Sequence, residues 1–264
     1  MEFTKKYRYI FGLIILIVAG SSYWYVQTFQ LLPAPAFYLF NSIPNPSPTD
    51  RILVVSPHPD DESLGVSGFI ARAHRLGATI EIVIATDGDK HHLKSVRHQE
   101  TLSAMDDLGI DAKNVEFYDY PDGKLSQHQT EFNQSLLKTI TAFQPTIIFS
   151  THPADIHPDH RAVGEGVDQV IQQLTTKPRV LQFLIHYHRY PRPEGYSPAS
   201  FMLPPAKLIS TDTNWQKFTL SADEETLKEK AIREYRSQLS GRNPILRDLL
   251  LSFIRQNEMF VVVQ

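Results

Sequence analysis

The 264-residue chain has no cysteine. That excludes disulfide frameworks, thiolate metal sites and cysteine nucleophiles, so any metal must be held by His, Asp or Glu. It fits either side of a membrane and fixes no compartment. The chain also lacks a basic run, and its formal net charge is −3. No global or local attraction to nucleic acid is therefore expected. No G-x-G-x-x-G turn follows the first strand of the folded part, which disfavours a phosphate-cradling dinucleotide enzyme. What the chain does have is an ordinary globular balance, 42% apolar and 21% charged residues, enough for one sizeable core.

Charge is missing altogether from Ile10 to Val26, IFGLIILIVAGSSYWYV. As a helix this run is roughly 26 Å long, near the short limit for crossing the hydrocarbon core. Tyr23, Trp24 and Tyr25 stand at its end, where an interfacial aromatic belt belongs, and Lys5, Lys6 and Arg8 precede it while no Lys or Arg follows until Arg51. Residues 1–9 are thus expected in the cytoplasm, 10–26 as a transmembrane anchor, and the remainder outside. A cleaved signal peptide is the competing reading, with Ala19-Gly20-Ser21-Ser22 as its small-residue stretch. Residues 27–50 include five prolines between 31 and 50 and read as a semi-rigid spacer.

From residue 51 to 264 the pattern is that of an α/β domain. Arg51–Ser56 (RILVVS), 78–85, 114–118, 146–150 and 180–186 read as strands, the first as a buried parallel one. Between them 62–76, 95–108, 131–143 and 160–174 read as helices, with Gly77 and Gly109 as stops. The alternation predicts a Rossmann-like, mostly parallel sheet with helices on both faces. A charged helix around 223–239 follows, and the last apolar run, 259–263, is expected to add an edge strand.

Ligands in open α/β sheets bind at the carboxyl ends of strands. Three polar clusters fall at such ends: Pro57-His58-Pro59-Asp60-Asp61-Glu62, Thr86-Asp87-Gly88-Asp89, and the run from His152 through Asp155, His157, Pro158 and Asp159 to His160. His58 and Asp61 are three apart, as are His157 and His160. One pair with a member of the other makes a three-ligand metal site, leaving a histidine and a carboxylate for hydrolytic work. Asp87 is either a site-lining residue or an ordinary turn former. His91 and His92 read as exposed loop residues.

These residues resemble the PIG-L/LmbE-like deacetylases, zinc enzymes acting on N-acetylglucosaminyl substrates. The likeness rests on Pro57–Glu62 (PHPDDE), Gly68, Thr86-Asp87-Gly88, Arg97-His98-Gln99-Glu100, Leu108-Gly109 and His157–His160 (HPDH). It ends in Tyr235-Arg236-Ser237-Gln238. The resemblance implies that His58, Asp61 and His160 hold Zn²⁺, with Fe²⁺ and other divalent ions also compatible with N/O donors. It implies Asp60 as general base, His157 as oxyanion stabiliser and Asp159 as the carboxylate orienting a site histidine. Arg97 is a candidate contact to the sugar or a partner of Glu100, with which helical spacing also permits an ion pair. The implied activity is hydrolysis of an N-acetyl group from an amino sugar, releasing acetate. The alternatives are an amidohydrolase of a non-sugar acylated amine, or an inactive, tethered glycan-binding module. An exported, anchored domain favours an envelope glycan or glycolipid as substrate.

Overall fold

The computed structural model describes residues 2–29, 32–89, 92–240 and 244–263, with side chains from Tyr7 onward and none for 27–29. Lys90 and His91 lie outside the described residues. The first element, α1 (Glu2–Phe29), contains an apolar stretch, Tyr7–Val26, of mean hydropathy 1.7, none of it buried. It is long and apolar enough for a membrane span or a signal sequence.

The domain is one eight-stranded sheet. Its strands are β1 (Asn41–Ser42), β2 (Arg51–Ser56), β3 (Thr79–Thr86), β4 (Val115–Tyr120), β5 (Ile147–Thr151), β6 (Arg179–Phe183), β7 (Trp215–Thr219) and β8 (Asn257–Val263). Their order is β1-β7-β8-β6-β5-β2-β3-β4. Seven strands run the same way. β8 is antiparallel to both β6 and β7, so the sheet is mixed rather than wholly parallel.

The apolar strands are legible because both of their faces are buried. Along β2, Ile52 and Val54 enter one core with Ile82, Ile84 and Phe149, whereas Leu53 and Val55 enter another with Val83, Ala85 and Ile148. The first core is closed by α2 (Asp61–Arg75), α3 (Lys94–Asp107) and α6 (Ala222–Glu234). The second is closed by α4 (Gln129–Phe143) and α5 (Pro158–Ile171). Continuous β-branched runs are what a two-faced interior strand requires.

Several expectations need correction. The last apolar run does not lie at an edge: β8 sits between β6 and β7, and Met259, Phe260 and Val261 are buried there. β7 was not foreseen, because Trp215–Thr219 carries Gln216 and Lys217 among its apolar residues. The helix around 223–239 is broken at Tyr235, whose φ/ψ of −75/58 is not helical, and α7 (Arg236–Leu239) restarts after it. Part of the proline-rich spacer packs on the domain. Ala34–Leu39 forms a 3₁₀ turn, Phe37 and Ile43 are buried, and β1 pairs with β7 through Asn41 and Ser42. One more helix, α8 (Pro244–Leu251), precedes β8.

The chain steps from β2 outward to β3 and β4, then returns to place β5 on the other side of β2. The loops after β2 and β5 consequently leave adjacent strands in opposite directions, at the switch point where open sheets bind ligands. His58 and His160 follow those two strands.

Candidate active site

Local chemistry shapes each loop before the two meet. After β2, the Ser56 hydroxyl donates to the His58 carbonyl (3.0 Å), and the His58 N–H donates to Asp61 Oδ2 (3.1 Å). Asp60 then takes φ 124° at the start of α2, a conformation rare for any residue but glycine. After β5, His157 caps α5 with Pro158 at the first helical position and Asp159 in the first turn. Both suit a helix start, where proline's missing N–H costs nothing and negative charge is favoured.

The loops bring three donor atoms into a near-equilateral triangle. His58 Nδ1 is 3.1 Å from Asp61 Oδ2, His160 Nε2 is 3.1 Å from the same oxygen, and the two ring nitrogens are 3.1 Å apart. Carboxylates behind the triangle set both tautomers. His58 Nε2 donates to Asp159 Oδ2 (3.1 Å), and His160 Nδ1 donates to Asp155 Oδ2 (3.1 Å). In its neutral form each imidazole therefore turns a lone pair toward the centre, the carboxylate–histidine arrangement that orients metal ligands. Asp159 is itself held by the N–H groups of Gly123 (2.6 Å) and Leu125 (2.9 Å), and Asp155 by those of Ile185 (3.1 Å) and His186 (2.8 Å).

Electrostatics also ask for a cation here. Burial opposes charge on His160, yet Asp61 and Asp155 outweigh it and push the imidazole up to about 9. Burial likewise opposes charge on Asp61, but His160 and His58 hold it well below the usual carboxylate range. Four-coordinate zinc with ligands at about 2.0–2.2 Å places neighbouring ligand atoms about 3.3 Å apart, so the triangle fits such an ion. Overlapping groups within the same cluster, His58–His157–His160, Asp61–His160–His186 and His58–Asp122–Asp159, also have ligand atoms within 4.8 Å of one another.

Asp60 stands beside the triangle, buried, with Oδ2 accepting from Arg97 (3.2 Å). Burial raises its carboxyl. Arg97 and His58 work against this while Asp61 and Glu62 add to it, and the result is about 7. His157 lies beside the triangle, half-buried, its ring 4.6 Å from that of His58 and 5.0 Å from that of His160. Burial, with His58 and His160 nearby, pushes it down to about 4, so it is neutral at pH 7. Its Nδ1 accepts from the Asp159 N–H (3.3 Å), which leaves the proton on Nε2 as a donor.

Arg97 is not paired with Glu100. It reaches Pro59 O, Asp60 Oδ2 and Gly88 O, so it braces Asp60. Glu100 instead accepts from the Ser237 N–H and hydroxyl (both 2.7 Å). One residue pair further, the buried Tyr235 hydroxyl donates to Glu62, which accepts from the Asp60 N–H (3.2 Å). The late Tyr-x-Ser-Gln echo thus ties the chain's last third to both early motifs. Asp87 organises a neighbouring turn, accepting from the N–H groups of Asp89 (3.0 Å) and Asp122 (3.1 Å). His92 is almost fully exposed.

The sequence reading gave no role to Asp155, Asp122 and His186. Asp122 follows β4 and lies 3.4 Å from His58 Nε2, so the rule that located the other clusters would have found it. His186 follows β6 and has its ring 4.8 Å from that of His160. The same strand-end rule marks it.

A polar, histidine- and carboxylate-lined centre at the carboxyl edge of a mixed α/β sheet is the class of site that hydrolytic metalloenzymes use. The PIG-L family model, described as GlcNAc-PI de-N-acetylase, matches residues 53–171, and this segment is a PIG-L domain. A probable N-acetyl-alpha-D-glucosaminyl L-malate deacetylase 2 of Bacillus subtilis is 26% identical over 163 residues, covering 53% of this chain and 70% of that protein. A diacetylchitobiose deacetylase of Thermococcus kodakarensis is 27% identical over 126 residues, 43% of this chain and 46% of that protein. Among solved structures, the N,N'-diacetylchitobiose deacetylase of Pyrococcus horikoshii superposes with a TM-score of 0.58 at 19% identity, covering 92% of each chain, which shows the shared fold. Those relatives are named as deacetylases, and deacetylation is amide hydrolysis.

Proposed function

We propose that this domain is a zinc-dependent N-deacetylase of an amino sugar in a glycan or glycolipid, with the metal held by His58, Asp61 and His160. The observation that carries the reading is the triangle of donor atoms at 3.1 Å whose two imidazoles are oriented from behind by Asp155 and Asp159. A divalent cation there supplies Lewis-acid polarisation of the amide carbonyl and makes bound water more acidic. Asp60, close to neutral pH in its proton affinity, takes the proton of the attacking water. The His157 Nε2–H donates to the oxyanion as the carbonyl carbon becomes tetrahedral. Asp60 then returns its proton to the departing nitrogen, so amide plus water gives acetate and the free amine. Arg97 keeps Asp60 aimed, and Asp159 holds both His58 and, through its N–H, His157.

Nothing in a pure glycan-binding module requires a buried carboxylate held at φ 124° beside such a triangle. Joined to α1, the domain is read as a single-pass, membrane-anchored enzyme facing away from the cytoplasm. The test is acetate release by the full chain in detergent, before and after chelation and zinc return. The substrates are GlcNAc, chitooligosaccharides, a GlcNAc-lipid and peptidoglycan fragments. Release that depends on metal and disappears in His160→Ala supports the reading. Stoichiometric metal with no release from any of these sugars moves it to a non-sugar acylated amine.

A further inference from the structure

One apolar cavity among the described residues shares no lining residue with the His/Asp cluster. This cavity, of about 1160 Å³, lies between the end of α1 and the domain, lined by Trp24, Tyr25, Pro33, Arg192, Phe201 and Leu203 among others. We propose that this face of the domain rests on the bilayer surface and that the cavity takes an acyl chain of a membrane phospholipid. The proposal rests on α1 spanning a membrane.

Continuity carries the inference. Tyr7–Val26 is wholly unburied, and Trp24 and Tyr25 sit at its domain-side end, where indole and phenol rings occupy the headgroup boundary. Those same two residues form one wall of the cavity, so its mouth lies at the depth of the interface. Another lining residue, Phe201, connects the cavity to exposed apolar surface. Phe201 stacks on Phe37 (ring centroids 3.9 Å) and meets Tyr38 edge-on (6.0 Å), and next to them Leu39 is 85% and Tyr38 72% exposed. Contiguous exposed apolar surface of this kind marks a partner. Here it begins at the end of the segment read as a membrane span. Two cations adjoin the patch: Lys217 Nζ lies over the Phe37 ring (4.4 Å) and donates to the Phe37 carbonyl (2.9 Å), and Arg192 lines the cavity, paired with Glu194 (3.0 Å). Such placement fits phosphate headgroups over a buried acyl chain.

The cysteine-free chain allows single labels. Leu16→Cys, Leu39→Cys and Lys113→Cys, each carrying an environment-sensitive fluorophore, are placed in nanodiscs of phosphatidylcholine with or without brominated acyl chains. Leu16 lies within the span, and Lys113 is a solvent-exposed reference. Quenching of the Leu39 label by about half, with none at Lys113, is the expected result for a side chain several ångströms into the boundary. Quenching at Leu16 but not at Leu39 overturns the proposal and leaves the span standing. Quenching at neither position removes the span and the proposal together. Protection of Leu39 that follows protein concentration rather than bromolipid assigns the face to a second copy of the chain and also overturns it.

Discussion

Helix α2 carries two buried charge clusters that differ in one instructive way. Midway along it, Lys228 Nζ donates to Glu258 Oε1 (2.7 Å) and to the Leu64 carbonyl (2.8 Å), while Glu258 accepts from the N–H groups of Gly68 (2.8 Å) and Phe69 (2.9 Å). Charge closes on charge there, and each group has its partners. At the N-terminus of the same helix, Asp60, Asp61 and Glu62 crowd together with Asp155 and Asp159 close behind, facing His58, His160 and Arg97, and the backbone is strained at Asp60. A cluster that serves the fold ends neutral and relaxed. On the proposed reading, the other keeps charge and strain for a cation and a substrate.

Breaking the triangle should have the largest effect on activity. His160→Ala is expected to lose stoichiometric metal in elemental analysis and to release no measurable acetate. Asp60→Asn keeps the metal but slows release by about 10²–10⁴-fold, the usual worth of a positioned base. Asp60→Gly separates the two roles of that residue. It should be as inactive as the asparagine variant yet melt higher, because relief of a strained conformation is worth about 1–3 kcal/mol. Retained activity in either Asp60 variant removes it as the base. Asp155→Asn is milder, weakening metal affinity in a chelator competition by about 10–100-fold.

The closed cluster should answer in stability instead. Lys228→Met strands a buried carboxylate and is expected to cost about 3–5 kcal/mol in denaturant unfolding, with Glu258→Gln added in the same chain recovering much of it. Metal affinity of the folded protein should stay unchanged in both; a fall would mean that the two clusters are coupled through α2.

A smaller effect belongs to the far end of α2. There Glu224 is held by Arg72, Arg75 (2.8 Å) and the Ser221 N–H (2.8 Å), and Arg72 also donates to the Thr219 carbonyl. Burial opposes the charge on Glu224, but Arg72 and these other donors prevail and lower it from 4.5 to about 2. A carboxylate lowered on folding adds stability that is complete above its unfolded pKa and fades as pH falls toward the folded one. Glu224→Gln should therefore lower Tm at pH 7, with the gap to wild type closing between about pH 4.5 and 2. A gap independent of pH would assign the loss to packing.

Much of the first 171 residues was legible because its signals are local. The two-faced strands announce themselves as apolar runs, and PHPDDE and HPDH place donor and capping residues within single turns. The last third was harder. β8 is an apolar run in either position, and only its pairing with both β6 and β7 puts it inside the sheet. β7 hides because Gln216 and Lys217 interrupt it, and the spacer's Phe37 and Ile43 gain a core only once β1 finds β7. Tyr235 breaks a well-formed helical pattern, since a buried bond to Glu62 outweighs one more turn of helix.

By itself the sequence determined which chemistry was available: N/O ligands without thiolates, carboxylates and imidazoles at strand ends, and an uncharged N-terminal run. Contiguous residues and their periodicity suffice for such statements. Tertiary structure alone decided which atoms meet. His58 and His160 are 102 positions apart, and only the reversal of strand order beside β2 brings their nitrogens to 3.1 Å. Asp155 lies only five residues before His160, but Asp159, which orients His58, and the arginine that aims Asp60 come from other loops and helices. Such partners are selected by where the backbone returns, and short-range pattern carries no record of that.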